Sequence, residues 1–261
     1  MNGSVTDDVV VVTGANEGIG HGLLRALLAD GYRVAGLDVD VGNLEPVRGA
    51  NPDRMRVAEC DVTVDGDVET AIDGVLDEWG RIDVLVNNAA MFNYAPFAEQ
   101  TIDDTRREFE VNYFGYVRTI RAVLPHMRAR GEGIIHNVSS GVGLVGTPGL
   151  TGYASTKGAV EALVRSLRLE LWDEHVSVTV VHPPFTNTRS AAELGFPPWM
   201  MSDPAEVGRN LAGKIDSTGP VVYADWPTRI GLALVRRFPA LVRWGTERFG
   251  TGGGTAGRGS D

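Results

Sequence analysis

The sequence predicts one doubly wound α/β domain: a mostly parallel, seven-stranded sheet with helices on both faces. Three observations lead there. Short β-branched runs alternate with amphipathic stretches, which implies parallel strands joined by right-handed helical crossovers. Several of those runs are almost continuously apolar, as strands covered on both faces must be. The chain has 261 residues, 43% of them hydrophobic, which suits one large core. No internal repeat and no interdomain linker divides it.

Strands are expected at 9–13, 33–38, 54–59, 82–87, 133–139, 176–182 and 220–223. Between 103 and 130, Phe109, Tyr113, Ile120, Leu124 and Met127 share one helical face. Between 151 and 175, Val160, Leu163, Val164, Leu167 and Leu171 do the same. Residues 1–225 are expected to form the working domain, with a lid at about 189–203. Residues 226–249 are expected to form a basic helical appendage, and the glycine-rich 250–261 a flexible tail.

Composition excludes several roles. A net charge of −10 opposes nucleic-acid binding, which needs Lys and Arg facing phosphates. One cysteine, Cys60, allows no disulfide within the chain and points to a reducing, cytoplasmic setting. The opening MNGSVTDD is polar and acidic, and the apolar run at 9–12 is too short for a signal peptide. No apolar stretch approaches the ~18 residues of a membrane span. His21, His126, His136, His175 and His182 show no metal-ligand spacing, so no metal is expected.

The first strand runs directly into Gly14-Ala-Asn-Glu-Gly18-Ile-Gly20, with a helix starting near Ile19. Glycines let backbone approach a pyrophosphate, and the free N–H groups of the helix start attract its charge. Asp38 ends the second strand, eighteen residues past Gly20. An acid there can accept hydrogen bonds from the adenosine ribose hydroxyls and would repel a 2′-phosphate. Residues 15–17 and Val39 supply no cation to hold that phosphate, so NAD is expected over NADP. Tyr153 and Lys157 are four residues apart, hence on one helical face. A cation beside a phenol favours the phenolate, a pair suited to general acid–base work on a hydroxyl or carbonyl.

These motifs stand in order with Asp61-Val62, Asn87-Asn88-Ala89-Ala90, Asn112 and Ser139-Ser140. Over about residues 8–190 the sequence thereby resembles the short-chain dehydrogenase/reductase family. The resemblance implies a Rossmann-type fold and homodimers or homotetramers, with the long helices as the dimer face. It implies that Tyr153 is the general acid/base and that Ser140, thirteen residues earlier, holds the reacting oxygen. Lys157 would lower the tyrosine pKa and hold the nicotinamide ribose. Asn112, 28 residues before Ser140, would interrupt its helix and hold a water linking Lys157 to solvent. Cofactor contacts are implied for Gly14, Asn16, Glu17, Gly18, Ile19, Gly20, Asp38, Val39, Asp61, Val62, Asn88, Ala89, Ala90, Tyr153, Lys157, Pro183, Thr186 and Thr188.

Two departures stand out. Pro184 occupies a position where the family usually has glycine, and the family's common C-terminal V-D-G-G is missing. Phe92, Val142, Leu144, Phe185, Leu194 and Trp199 are expected to line a substrate pocket, with Met91, Asn93 and Met200–Met201 of the lid segment nearby. Their character suits a hydrophobic secondary alcohol or its ketone. In 226–249, Arg229, Arg236, Arg237, Arg243 and Arg248 face Glu247 alone, interleaved with aromatic and aliphatic residues. Packing on the domain or a second subunit is expected there, with contact to an anionic membrane as the less favoured reading. Rival functions on this scaffold are an NAD-binding regulator and an epimerase or dehydratase. The complete Asn–Ser–Tyr–Lys set opposes the first and the short chain opposes the second.

Overall fold

The structure, a computed structural model, describes residues 7–191 and 198–238. Its strands are β1 (Val9–Thr13), β2 (Arg33–Asp38), β3 (Met55–Glu59), β4 (Val84–Asn87), β5 (Gly133–Val138), β6 (Val176–His182) and β7 (Val221–Tyr223). Its helices are α1 (Gly18–Ala29), α2 (Leu44–Ala50), α3 (Asp65–Trp79), α4 (Ile102–Phe109), α5 (Gly115–Arg130), α6 (Val142–Val145), α7 (Thr151–Glu170), α8 (Pro204–Ala212) and α9 (Trp226–Arg237). The strand order is β3-β2-β1-β4-β5-β6-β7, with every pair parallel. The expected sheet is therefore present, and it is wholly rather than mostly parallel.

Successive strand residues point to opposite faces, and the core divides accordingly. Val9 and Val11 pack with Leu85, Ile135 and Val178 against α3, α5 and α7. Val10 and Val12 pack with Val84, Val86 and Val181 against α1 and α8. Helices α1 and α8 meet closely where Gly22 faces α8: a Cβ there would lie 2.8 Å from the Pro204 carbonyl oxygen.

Strand order reverses between β1 and β4. In such sheets a crevice opens at the carboxyl ends of the strands beside that point. Asp38, Asn87, Ser139 and Pro183 all stand at or just past that edge.

Two expected helices differ in extent. The 103–130 stretch is interrupted: between α4 and α5 lies a π-helical turn, Glu110–Phe114, containing Asn112. Helix α7 ends at Glu170 because Leu171 leaves helical geometry. The third, fourth, fifth and seventh strands are each one or two residues shorter than expected, although Arg54, Asp83, Ser139 and Pro220 beside them still bond to the neighbouring strand. Leu194, the second half of the 226–249 segment and the 250–261 tail lie outside the described residues.

Candidate active site

The ends of β1 and β4 are stitched together. Thr13 Oγ1 accepts the N–H groups of Asn88 (3.0 Å) and Ala89 (3.1 Å). Asn88 Nδ2 donates to the carbonyls of Thr13 (3.0 Å) and Gly14 (2.9 Å). Gly14 (φ +64°) and Gly18 (φ +59°) adopt left-handed backbone. A Cβ on Gly14 would sit 2.7 Å from Ala89 Cα, and one on Gly20 would collide with the Gly14 carbonyl. No side chain caps α1, so its first N–H groups remain available to an anion. Asp38 is tied to this turn: its Oδ2 accepts the Asn16 N–H at 2.9 Å. Asn16 in turn accepts from the Asn43 N–H at 2.9 Å. Asp61 is held by Thr63, through N–H (2.9 Å) and Oγ1 (2.8 Å).

One cavity of about 1300 Å³ runs from Asp38 and Asp61, past the glycine turn, to Ser140, Tyr153 and Lys157. Every residue expected to touch the cofactor lines it except Gly20, which serves the close packing beneath the turn. A side-chain-free cradle at a helix start, leading into a long crevice, fits a dinucleotide.

At the far end, the Ser140 side chain stands near enough to the Tyr153 phenol to lower its pKa. Lys157 is 1% exposed, and its Nζ donates to the Val138 carbonyl (2.8 Å) and the Tyr116 hydroxyl (3.2 Å). That ammonium lies 5.6 Å from the Tyr153 ring centroid. Burial pulls Lys157 down to about 7. Burial also pushes Tyr153 up to about 12, opposed by the Ser140 side chain and assisted by the charge of Glu108. Burial therefore dominates the state of both groups.

Asn112 is held in place by protein partners. It is fully buried, and its side chain is spent on protein partners. Oδ1 accepts the Met91 N–H (2.8 Å); Nδ2 donates to the Met91 carbonyl (2.8 Å) and to Thr156 Oγ1 (3.1 Å). It therefore ties the loop after β4 to α7. The π turn around it is the helix interruption expected at this residue.

Of the expected substrate-pocket residues, Phe92, Val142 and Phe185 line the cavity. Phe92 leans on Tyr153, with ring centroids 5.5 Å apart. Leu144 does not line it, because the single turn of α6 presents Val142 and Val145 instead. Trp199 is 77% exposed and points away; Met200 lines the cavity in its place. Both ends of the lid segment are pinned: the Ser202 N–H donates to the Phe185 carbonyl (2.7 Å), and the Asn187 N–H to the Ser202 carbonyl (2.9 Å).

Sequence reasoning missed three features. Helix α9 closes the cavity with Thr228, Gly231, Leu232 and Val235, so a boundary at 225 cuts through one wall. The i, i+3, i+4, i+7 spacing of these residues was the available signal. Arg189 lines the cavity and pairs with Glu17 at 3.2 Å. Glu108, an unremarked residue in a charged run, is buried behind Phe92 and Tyr153. Among the described residues no helix is long and apolar enough to cross a membrane.

Comparison with known proteins agrees with this geometry. Residues 8–196 match the family model of the short chain dehydrogenases, and the chain belongs to that family, whose members bind nicotinamide cofactors and interconvert alcohols and carbonyls. It is 34% identical over 188 residues to a 3-alpha-(or 20-beta)-hydroxysteroid dehydrogenase of Mycobacterium tuberculosis, covering 72% of each chain. It is 34% identical over 187 residues to a 2-(R)-hydroxypropyl-CoM dehydrogenase of Xanthobacter autotrophicus, covering 69% of this chain and 75% of that one. Among solved structures, a short-chain dehydrogenase from Streptomyces avermitilis superposes with a TM-score of 0.79 at 29% identity, over 94% of this chain and 96% of that one. A 3-ketoacyl-(acyl-carrier-protein) reductase from Brucella melitensis complexed with NADH gives 0.77 at 25% identity, over 84% and 97%.

Proposed function

We propose that the protein is an NAD-dependent oxidoreductase that interconverts a hydrophobic secondary alcohol and its ketone, with Tyr153 as general acid/base. The observation that carries this reading is the convergence of Ser140, Tyr153 and Lys157 on the same cavity as the glycine turn and Asp38. When bound, the nicotinamide ring supplies the hydride acceptor or donor. The chain's part is position and proton handling. Tyr153 takes the hydroxyl proton of an alcohol or returns it to a ketone oxygen. Ser140, which acts on the Tyr153 phenol, orients that oxygen where charge develops. Lys157 uses two of its three N–H donors on Val138 and Tyr116, leaving one for the cofactor's ribose hydroxyls.

Asp38 supports NAD over NADP, because a carboxylate held beside the turn by Asn16 would face a 2′-phosphate. Phe92, Val142, Phe185, Met200 and Leu232 make the substrate end apolar, which supports a cyclic or otherwise bulky hydrophobic substrate. The two named dehydrogenases above, one acting on hydroxysteroids, accord with a secondary alcohol. Exposed Phe114, Leu169 and Trp172 on the π turn, α7 and its end support a homo-oligomer through the long helices. The single cysteine supports a reducing, cytoplasmic setting.

Initial rates on a panel of cyclic secondary alcohols and small polyols, each with NAD and with NADP, test the reading. Higher kcat/KM on cyclic alcohols with NAD is expected. Preference for polyols overturns the substrate class, and preference for NADP overturns the role of Asp38.

A further inference from the structure

Helix α7 carries Tyr153 near its start, yet nothing local caps it. It begins after Leu150, with no side-chain cap and no acidic residue in its first turn. A helix start left this way presents several unsatisfied N–H groups and the positive end of the helix dipole.

Glu108, on α4, faces that start. It is 1% exposed. Its Oε1 accepts the Asn93 N–H at 2.9 Å, while Oε2 is buried without a hydrogen-bond partner. Oε2 occupies the space where a Cβ on Gly152 would stand, so the absence of that atom admits the carboxylate to the first turn of α7. A buried carboxylate without a paired cation is costly unless some positive field compensates it. The start of α7 is that field.

The same carboxylate acts on the neighbouring loop. Asn112 holds the backbone of Met91, and Glu108 holds that of Asn93. Phe92 lies between them with its ring against Tyr153. We propose that Glu108 is a positioning residue for Tyr153: from α4 it sets its carboxylate against the first turn of the tyrosine's helix and clamps the adjoining loop, seating both the phenol and the ring that packs on it.

The electrostatics agree. Burial and the charge of Asp104 raise the Glu108 pKa, opposed by the Asn93 N–H. Once ionised, Glu108 adds to the rise that burial imposes on Tyr153. The other groups facing the phenol are Ser140, Lys157 on α7 and Tyr116 on α5. Removing the Glu108 charge should therefore let Tyr153 ionise at lower pH.

The test is NMR of the full chain carrying carbon-13 at tyrosine Cζ, with the Tyr153 signal assigned by its loss in Tyr153→Phe. In the wild type that signal should shift as Glu108 ionises, above the ordinary glutamate range, and Glu108→Gln should abolish the step. In Glu108→Gln the alkaline titration of Tyr153 should move to lower pH. The pH profile of kcat/KM for alcohol oxidation should move the same way. Glu108→Asp, which keeps the charge, should leave both near the wild type. A Gln variant that only melts earlier, with both titrations unmoved, overturns the proposal. So does a wild-type signal without the acid-side step, a measurement that needs no variant to fold. The catalytic consequence rests on Tyr153 as acid/base: full activity in Tyr153→Phe would remove that reading, whereas the NMR steps judge Glu108 alone.

Discussion

At the Asp38 end of the cavity the decisive walls are backbone; at the Leu232 end they are side chains. Around the glycine turn, Thr13, Asn16 and Asn88 spend their hydrogen bonds fixing main chain, and Gly14 and Gly20 leave no room for a Cβ. Around Tyr153 the enclosure comes from Phe92, Val142, Phe185, Met200 and α9, and no residue of α9 is fully buried. A backbone-built end accepts one ligand geometry and tolerates little change. A side-chain-built end can be altered residue by residue, and that is how one scaffold serves different substrates.

The contrast predicts a graded set of effects. Among the residues that wall the cavity, Gly14→Ala should be the most damaging to cofactor binding. It forces left-handed strain of about 1–2 kcal/mol and drives a methyl group against Ala89. NADH binding, read by fluorescence titration, should weaken roughly tenfold or more, and unchanged binding would break the claim that backbone approach matters here. Asp38→Ala should lower the NAD-over-NADP ratio of kcat/KM by roughly tenfold, through loss of like-charge rejection. A ratio that stays put would assign cofactor choice elsewhere, with Arg189 the first place to look. Leu232→Ala should cut kcat/KM on a cyclic alcohol by up to roughly tenfold while leaving NADH affinity unchanged. A fall in NADH affinity instead would mean that α9 belongs to the other end.

A smaller effect concerns the scaffold beneath both ends. His136 is buried in β5, with Nδ1 2.6 Å from Thr179 Oγ1 and Nε2 2.7 Å from the Ile215 carbonyl. A carbonyl can only accept, so Nε2 carries the proton and Nδ1 takes the threonine hydroxyl. Burial lowers the His136 pKa, opposed by the bond to Ile215 and the charge of Asp216. A histidine with a lowered folded pKa binds fewer protons folded than unfolded. It therefore costs stability as pH falls below about 6.5, the unfolded value, toward the folded one. Tm should drop through that window, and His136→Gln should flatten the drop; an equal slope in the variant would assign it to other groups.

The two ends also differ in how far the sequence discloses them. Gly14, Gly18 and Gly20 are legible because the bonds they permit dictate a residue type at a fixed spacing. Tyr153 and Lys157 are legible for the same reason, being four apart on one helix. What spacing leaves out is the environment. That Lys157 falls to about 7 depends on its burial, to which Tyr116 on α5 contributes. That Asn112 spends its amide on Met91 and Thr156 depends on two other segments. Glu108 reads locally as one more charge in a polar run, and only α7, more than forty residues on, makes it a buried carboxylate set against a helix start. The fold was legible to within a residue or two at most strand ends, because apolar runs and turn residues bound each strand. The role of α9 was not, since a helix with an exposed Trp226, Ile230 and Leu234 looks like an appendage until its other face is seen against Gly141.

The central claim is that the Tyr153 phenol carries the proton. The most direct test is kcat for NAD-driven oxidation of a cyclic secondary alcohol, compared between the wild type and Tyr153→Phe after confirming that both bind NADH equally. Loss of the hydroxyl should lower kcat by roughly 10²–10⁴-fold. A kcat within a factor of about two of the wild type, which is well under 1 kcal/mol of barrier, would contradict the account.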